Sequence, residues 1–163
     1  MAALTCEMML RGAGERDSRA FITDLENLGV ERGESVGVSQ ASYSGATLAE
    51  NLPTALSMFA DLLRRPRLPA DQLEAARNVC LQELRAVEDE PSHKLMLELR
   101  RRRYPDPWGR PSQGSREDLL AMNGDDVEQF FSRQYQPQGV ILAVAGNFEW
   151  PRLSEQVETQ FGD

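Results

Sequence analysis

Val30-Glu31-Arg32-Gly33-Glu34-Ser35-Val36-Gly37-Val38-Ser39-Gln40-Ala41-Ser42-Tyr43-Ser44-Gly45-Ala46-Thr47-Leu48 has no helical period. Val36, Val38, Ala41 and Tyr43 sit among serine, glycine and threonine, a texture that suits strands. Two strands are expected here, a hairpin being one arrangement. Helical spacing surrounds the stretch on both sides. Upstream, Leu4, Met8 and Met9 predict a short helix stopped at Gly12. Phe21, Leu25 and Leu28 predict a second, capped by Asp17 or Ser18 and ended at Gly29. Downstream, Leu52, Leu56, Phe59 and Leu63 mark a helix closed by Pro66. Pro69 opens a longer one with Leu73, Ala76, Cys80, Leu84 and Val87 on one face, interrupted at Pro91. Residues 92–104 predict another. Pro105 to Gly114 reads as a loop, and its Trp108 is expected to pack onto the domain, because a large apolar ring needs cover. Ser115 and Asp125 read as two further N-caps. Gly139 to Gly146, continuously apolar from Val140 to Ala145, predicts a strand buried on both faces. A last helix begins at Trp150-Pro151, with Leu153, Val157 and Phe161 inward.

Strands thus fall before and after a block of helices. The expected fold class is α+β: a layered domain with an antiparallel or mixed sheet packed against helices on one face. The strands that can be named are few for so many helices. Early strands are expected to be missing, most simply from upstream of Met1.

The 163 residues suit one domain, and 40% hydrophobic with 27% charged residues is a globular balance. The longest apolar run is far shorter than the ~20 residues of a membrane-spanning helix. No signal peptide is visible at the start, so either the chain is cytosolic or its true N-terminus is absent, and the sequence leaves cytoplasmic and periplasmic locations both open. Eighteen basic against twenty-six acidic residues, a net charge of -8, argue against nucleic acid as a partner. Two cysteines are too few for a disulfide framework, and the single histidine, His93, excludes any site that needs two.

Some residues could carry chemistry. Glu83 lies beside the buried stripe of the long helix and could ligate a metal, act as a base, or be a solvated rim carboxylate. Cys6 and Glu7 could bind zinc, but Cys6 on an apolar helix is also a plain small hydrophobe. His93 reads as a surface residue. Arg100-Arg101-Arg102-Arg103 points around the whole helix, so a solvated end that suits the helix dipole is expected rather than a phosphate site. Gly12-Ala13-Gly14 lacks the strand and the Lys-Ser/Thr of a phosphate loop.

Several segments resemble, in order, the M16 metallopeptidases, the family of pitrilysin, insulin-degrading enzyme and mitochondrial processing peptidase. Glu7-Met8-Met9-Leu10-Arg11-Gly12 resembles the end of its His-x-x-Glu-His-Met-Leu-Phe-Lys-Gly-Thr motif. Phe59-Ala60-Asp61-Leu62-Leu63-Arg64-Arg65-Pro66 resembles a later helix. Leu81-Gln82-Glu83-Leu84 with Asp89-Glu90-Pro91 resembles the helix of its distal glutamate ligand. Tyr104-Pro105-Asp106-Pro107-Trp108-Gly109-Arg110-Pro111 with Gly114, then Tyr135-Gln136-Pro137 and Val144-Ala145-Gly146-Asn147-Phe148, complete the likeness over nearly the whole chain. It implies a single M16-like domain over residues 1–163, lacking its first strands.

Alignment on Gly12 puts the family's first zinc histidine at Ala3, its catalytic glutamate at Cys6 and its second histidine at Glu7. Glu83 matches the distal zinc ligand, one residue closer than usual, and a further family glutamate falls at Ala76. The resemblance therefore implies no catalytic residue and no metal of its own, where active relatives hold zinc. The expected function is a non-catalytic domain or subunit that pairs with an active M16 homologue and helps enclose an extended peptide. The alternatives are an active zinc metalloendopeptidase using Cys6, Glu7 and Glu83, or a scaffold that handles no peptide.

Overall fold

The computed structural model describes residues 1–162. In chain order, α1 spans Ala2–Met9, and β1 (Gly12–Ala13) pairs antiparallel with β2 (Arg16–Asp17). After α2 (Ser18–Asn27) come β3 (Glu31–Val36) and β4 (Ala41–Ala46), a two-stranded sheet. Six helices follow: α3 (Leu52–Arg64), α4 (Leu73–Asp89), α5 (Pro91–Arg103), α6 (Arg116–Ala121), α7 (Gly124–Gln134) and α8 (Trp150–Phe161). The architecture is α+β, as the alternation of textures predicts. No helix among the described residues is long and apolar enough to cross a membrane.

The residues group into two compact units. The first holds residues 1–8, 34–43 and 68–130. Its core is Leu4 and Met8 from α1, Ala76, Cys80 and Leu81 from α4, Leu119 from α6 and Val127 from α7. These are the apolar positions that helical spacing brings to one face, and burying each large side chain contributes about 1.5–3 kcal/mol. The β3–β4 turn belongs here and closes by the amide of Gly37 donating to the carbonyl of Gln40, 2.8 Å away.

The second unit holds residues 9–33, 44–67 and the segment from Phe131 on. Phe21 and Leu25 of α2 and Leu56, Met58 and Leu62 of α3 are buried there, with Leu153 of α8. Its organising polar group is Asp61. The carboxylate accepts from Arg16, 3.3 Å away, and from Arg65. Gly14, at φ +56°, lies so close to it that a Cβ would sit 2.8 Å from an Asp61 oxygen. This explains the aspartate of the Asp61-to-Pro66 segment: it anchors the β1–β2 turn to α3.

Caps follow local chemistry. Asp17 accepts from the amide of Ala20 at 2.8 Å, and Ser115 from that of Asp118 at 3.1 Å. The N-cap expected at Asp125 is instead Asn123. Its side chain accepts from the Asp126 amide at 3.1 Å, while Asp126 accepts from the Asn123 amide at 2.9 Å. That reciprocal box satisfies two otherwise orphan donors, which a lone Asp125 would not.

Two expectations are corrected. Residues 140–145 form no strand among the described residues, and Val140, Ile141 and Leu142 are 48%, 93% and 44% exposed. An apolar run signals a tendency to be covered, but a strand also needs a neighbour that supplies the ladder. Trp108 is 54% exposed rather than packed. Trp108→Ala should therefore change stability by under ~0.5 kcal/mol, as for surface sites generally, and not by the ~3 kcal/mol of a buried ring. Chemical denaturation checks this, and a loss above 2 kcal/mol would mean the ring is covered in solution.

Candidate functional site

The site of interest lies in the first unit, where α1 meets α4. Leu4 and Met8 anchor α1 against Ala76, Cys80 and Leu81, and Ala3 and Leu84 pack at the edge of the same cluster. Ala3 and Glu7 are four residues apart and so share a face of α1, with Cys6 one turn after Ala3. Cys80 and Glu83 are one turn apart on α4. The structure brings Cys6, Glu7, Cys80 and Glu83 close enough to influence one another's charge, and Tyr43 and Glu34 of the hairpin join them.

Electrostatics here are set by burial and by clustered carboxylates. Cys6 is 6% exposed and Cys80 3%. Burial pushes the Cys6 thiol up; its hydrogen bond with Tyr43 pulls down, while Glu34, Glu7 and Glu83 add to the rise. Burial, then Glu83 and Glu7, pushes Cys80 up to about 11. Both sulfurs are therefore thiols at neutral pH, and a protonated thiol is a poor metal ligand and a poor nucleophile. Glu83 is exposed, yet partial desolvation and then the Glu7 carboxylate hold its own carboxyl above the ordinary range.

That direction gives a pH signature. A carboxyl raised in the folded state keeps its proton more readily folded than unfolded, so its ionisation costs stability as pH rises through the folded value. Glu83→Gln should raise Tm at neutral pH, modestly because solvent screens an exposed group. The gain should vanish below the ordinary carboxylate range, where both forms are neutral. A loss of Tm that is equal at every pH would show instead that Glu83 makes a favourable contact.

Other candidates fall elsewhere. Ala76 is fully buried in the core, an apolar position with no room for the carboxylate that the alignment would put there. His93 sits half-buried on α5, 3.8 Å from Glu90, the residue that precedes that helix. Arg100 to Arg103 form an exposed helix end, as expected. Among the described residues no three histidine, cysteine, aspartate or glutamate side chains converge tightly enough to hold a metal ion.

Sequence reasoning missed Arg77. It is buried at 6% exposure, next to Ala76, and donates to the backbone carbonyls of Leu119 and, at 2.8 Å, Met122. Those carbonyls end α6, so Arg77 ties α4 to α6 and fixes the helix that carries Cys80 and Glu83. A signal existed: position 77 is four residues from both Leu73 and Leu81, so a charge interrupts the apolar stripe.

Comparison with known proteins follows the same lines. Residues 1–111 match the family described as insulinase (peptidase family M16). An uncharacterized zinc protease of Mycobacterium tuberculosis is 29% identical over 156 residues, covering 95% of this chain and 36% of the relative. The crystal structure of a peptidase M16 inactive domain from Pseudomonas fluorescens is 26% identical, with a TM-score of 0.71 over 80% of this chain and 32% of that one. A protease from Helicobacter pylori has the same fold at a TM-score of 0.89, with 21% identity, covering 98% of this chain and 39% of that one. The chain thus spans about a third of the length of these three proteins.

Proposed function

Because the chain belongs to peptidase family M16, we propose that it is a non-catalytic M16 domain that pairs with an active zinc peptidase homologue and helps enclose peptide substrate. One observation carries the reading. Packing of α1 on α4 brings Cys6 and Glu7 within electrostatic range of Glu83, while Ala3 packs at the edge of the same core, and none of these residues is an imidazole. The residues present do not fit a catalytic zinc. Such a site takes three protein ligands, normally including histidine, and a nearby base for the bound water. Here two buried thiols and two carboxylates stand without an imidazole, and Glu7 and Glu83 are left to repel one another. The likeness to a solved M16 inactive domain supports the same reading.

What remains useful in such a domain is shape and charge. A wall of an M16 chamber needs no chemistry of its own to confine a peptide. The acidic cluster around Glu7 and Glu83 would favour basic or neutral segments, and an extended peptide can add to a sheet edge. The alternative, an unconventional zinc enzyme, would have to use Cys6, Glu7 and Glu83 as its ligands.

Metal analysis separates the two. The protein purified at neutral pH, and again after incubation with zinc and desalting, should carry no stoichiometric metal. Tight stoichiometric zinc that Glu83→Ala removes would falsify the non-catalytic reading. Co-expression with a homologue bearing an intact His-x-x-Glu-His should yield a complex with peptidase activity. Absence of a complex would favour a scaffold without peptide handling.

A further inference from the structure

The exposed side of α5 is the feature that the proposed site leaves unused. Leu95, Met96 and Leu99 are 67%, 60% and 55% exposed, and α5 buries no residue fully. A solvated helix normally turns polar residues outward. Here helical spacing continues the apolar stripe into basic residues: Arg100 follows Met96 by four positions, and Arg103 follows Leu99 by four. Arg103 lies over the ring of the half-exposed Tyr104, 5.5 Å from its centroid. The following loop folds back onto this end, since a Cβ on Gly109 would meet the Tyr104 carbonyl and the Arg101 backbone. The exposed Trp108 is carried on that loop.

The arginines are not used up locally. Arg102 pairs with Glu98 at 2.6 Å, and Arg110 holds Asp106, but Arg100 and Arg101 make no ion pair among the described residues. The result is an apolar strip ending in exposed guanidinium groups beside two aromatic rings, within a chain of net charge -8. Arginine's planar fork suits single carboxylates, and Arg110, whose Nε and one Nη both donate to the Asp106 carboxylate, shows that geometry on this surface. An anionic bilayer fits less well, because Glu98 and Asp106 interrupt the basic area and would face a broad negative plane. A helix of a partner protein can instead place each carboxylate against an arginine and its own apolar side chains on Leu95 and Leu99.

From this complementarity we infer that α5 and its C-terminal loop dock an acidic amphipathic segment of a partner polypeptide. This is independent of whether the α1–α4 site binds metal. The probe is a fluorescein-labelled synthetic helix of glutamate and leucine, with leucine at helical spacing, titrated with the full chain and read by anisotropy. Binding should weaken as salt rises. Two exposed-residue variants, Leu95→Ser with Leu99→Ser and Arg100→Glu with Arg103→Glu, should each weaken it about tenfold or more, as loss of apolar anchors or of complementary charge does. Circular dichroism should show both variants folded. Failure of the peptide to bind, or binding that neither variant weakens, overturns the inference. So does association only with phosphatidylserine vesicles, or a dimer of the chain itself that both variants dissolve in sedimentation experiments.

Discussion

Replacing Ala3, Cys6 and Glu7 together by His, Glu and His should raise zinc affinity about 10³-fold or more over the wild type, since a helical histidine pair and a distal carboxylate form a three-ligand site. Positions 3 and 7 lie on one face of α1, and α1 is held by Leu4 and Met8, both buried to within 1%. The new imidazoles would therefore stand on a packed helix rather than a frayed one. Glu83 would complete the set from α4, where it already senses the Glu7 charge. Adding Glu83→Ala to the triple variant should cost at least about tenfold in affinity. Titration calorimetry reads both numbers. Peptidase activity need not appear, because Ala76 stays in the core and the substrate surface is unchanged. If the triple variant is folded by circular dichroism and binds zinc no better than the wild type, the alignment of α1 with the family's zinc helix is wrong.

Arg77→Ala should destabilise the protein by about 3 kcal/mol, the scale set by losing charge-assisted hydrogen bonds in a buried site. The substitution strands the carbonyls of Leu119 and Met122, whose only side-chain donor described is this guanidinium. Arg77→Lys should recover little, because one ammonium cannot reach two carbonyls with the geometry of a fork. Glu74→Ala is the control: its ion pair with Arg77 spans 3.2 Å, but its side chain is 76% exposed, so its loss should cost under about 0.5 kcal/mol. Urea unfolding of the three variants tests the order. Equal, small effects for all three would mean that α6 is held by Leu119 packing alone.

Much of this protein could be read from residue order. Phe21 and Leu25, or Ala76, Cys80 and Leu84, announce helices because apolar spacing and helical period coincide. The β3–β4 hairpin was legible because its serines, glycines and valines fit neither a helix nor a core. That Ala3 and Glu7 carry no imidazole is a fact of residue identity; that they stand at motif positions belongs to the proposed reading, through the alignment on Gly12. What local pattern could not supply was the neighbour. Val140 to Ala145 is apolar enough for a buried strand, yet strand formation depends on a second backbone edge, and none is paired with it among the described residues. Trp108 is large enough to want cover, but only the course of its loop decides whether cover is near. Arg77 interrupts an apolar stripe, but only the approach of the end of α6 makes it a buried clamp. The acidity of Glu83 was likewise undecided in one dimension, because it depends first on how far packing desolvates the carboxyl and then on Glu7, which lies 76 residues away in the chain and is brought close by the packing of Leu4 and Met8 on α4.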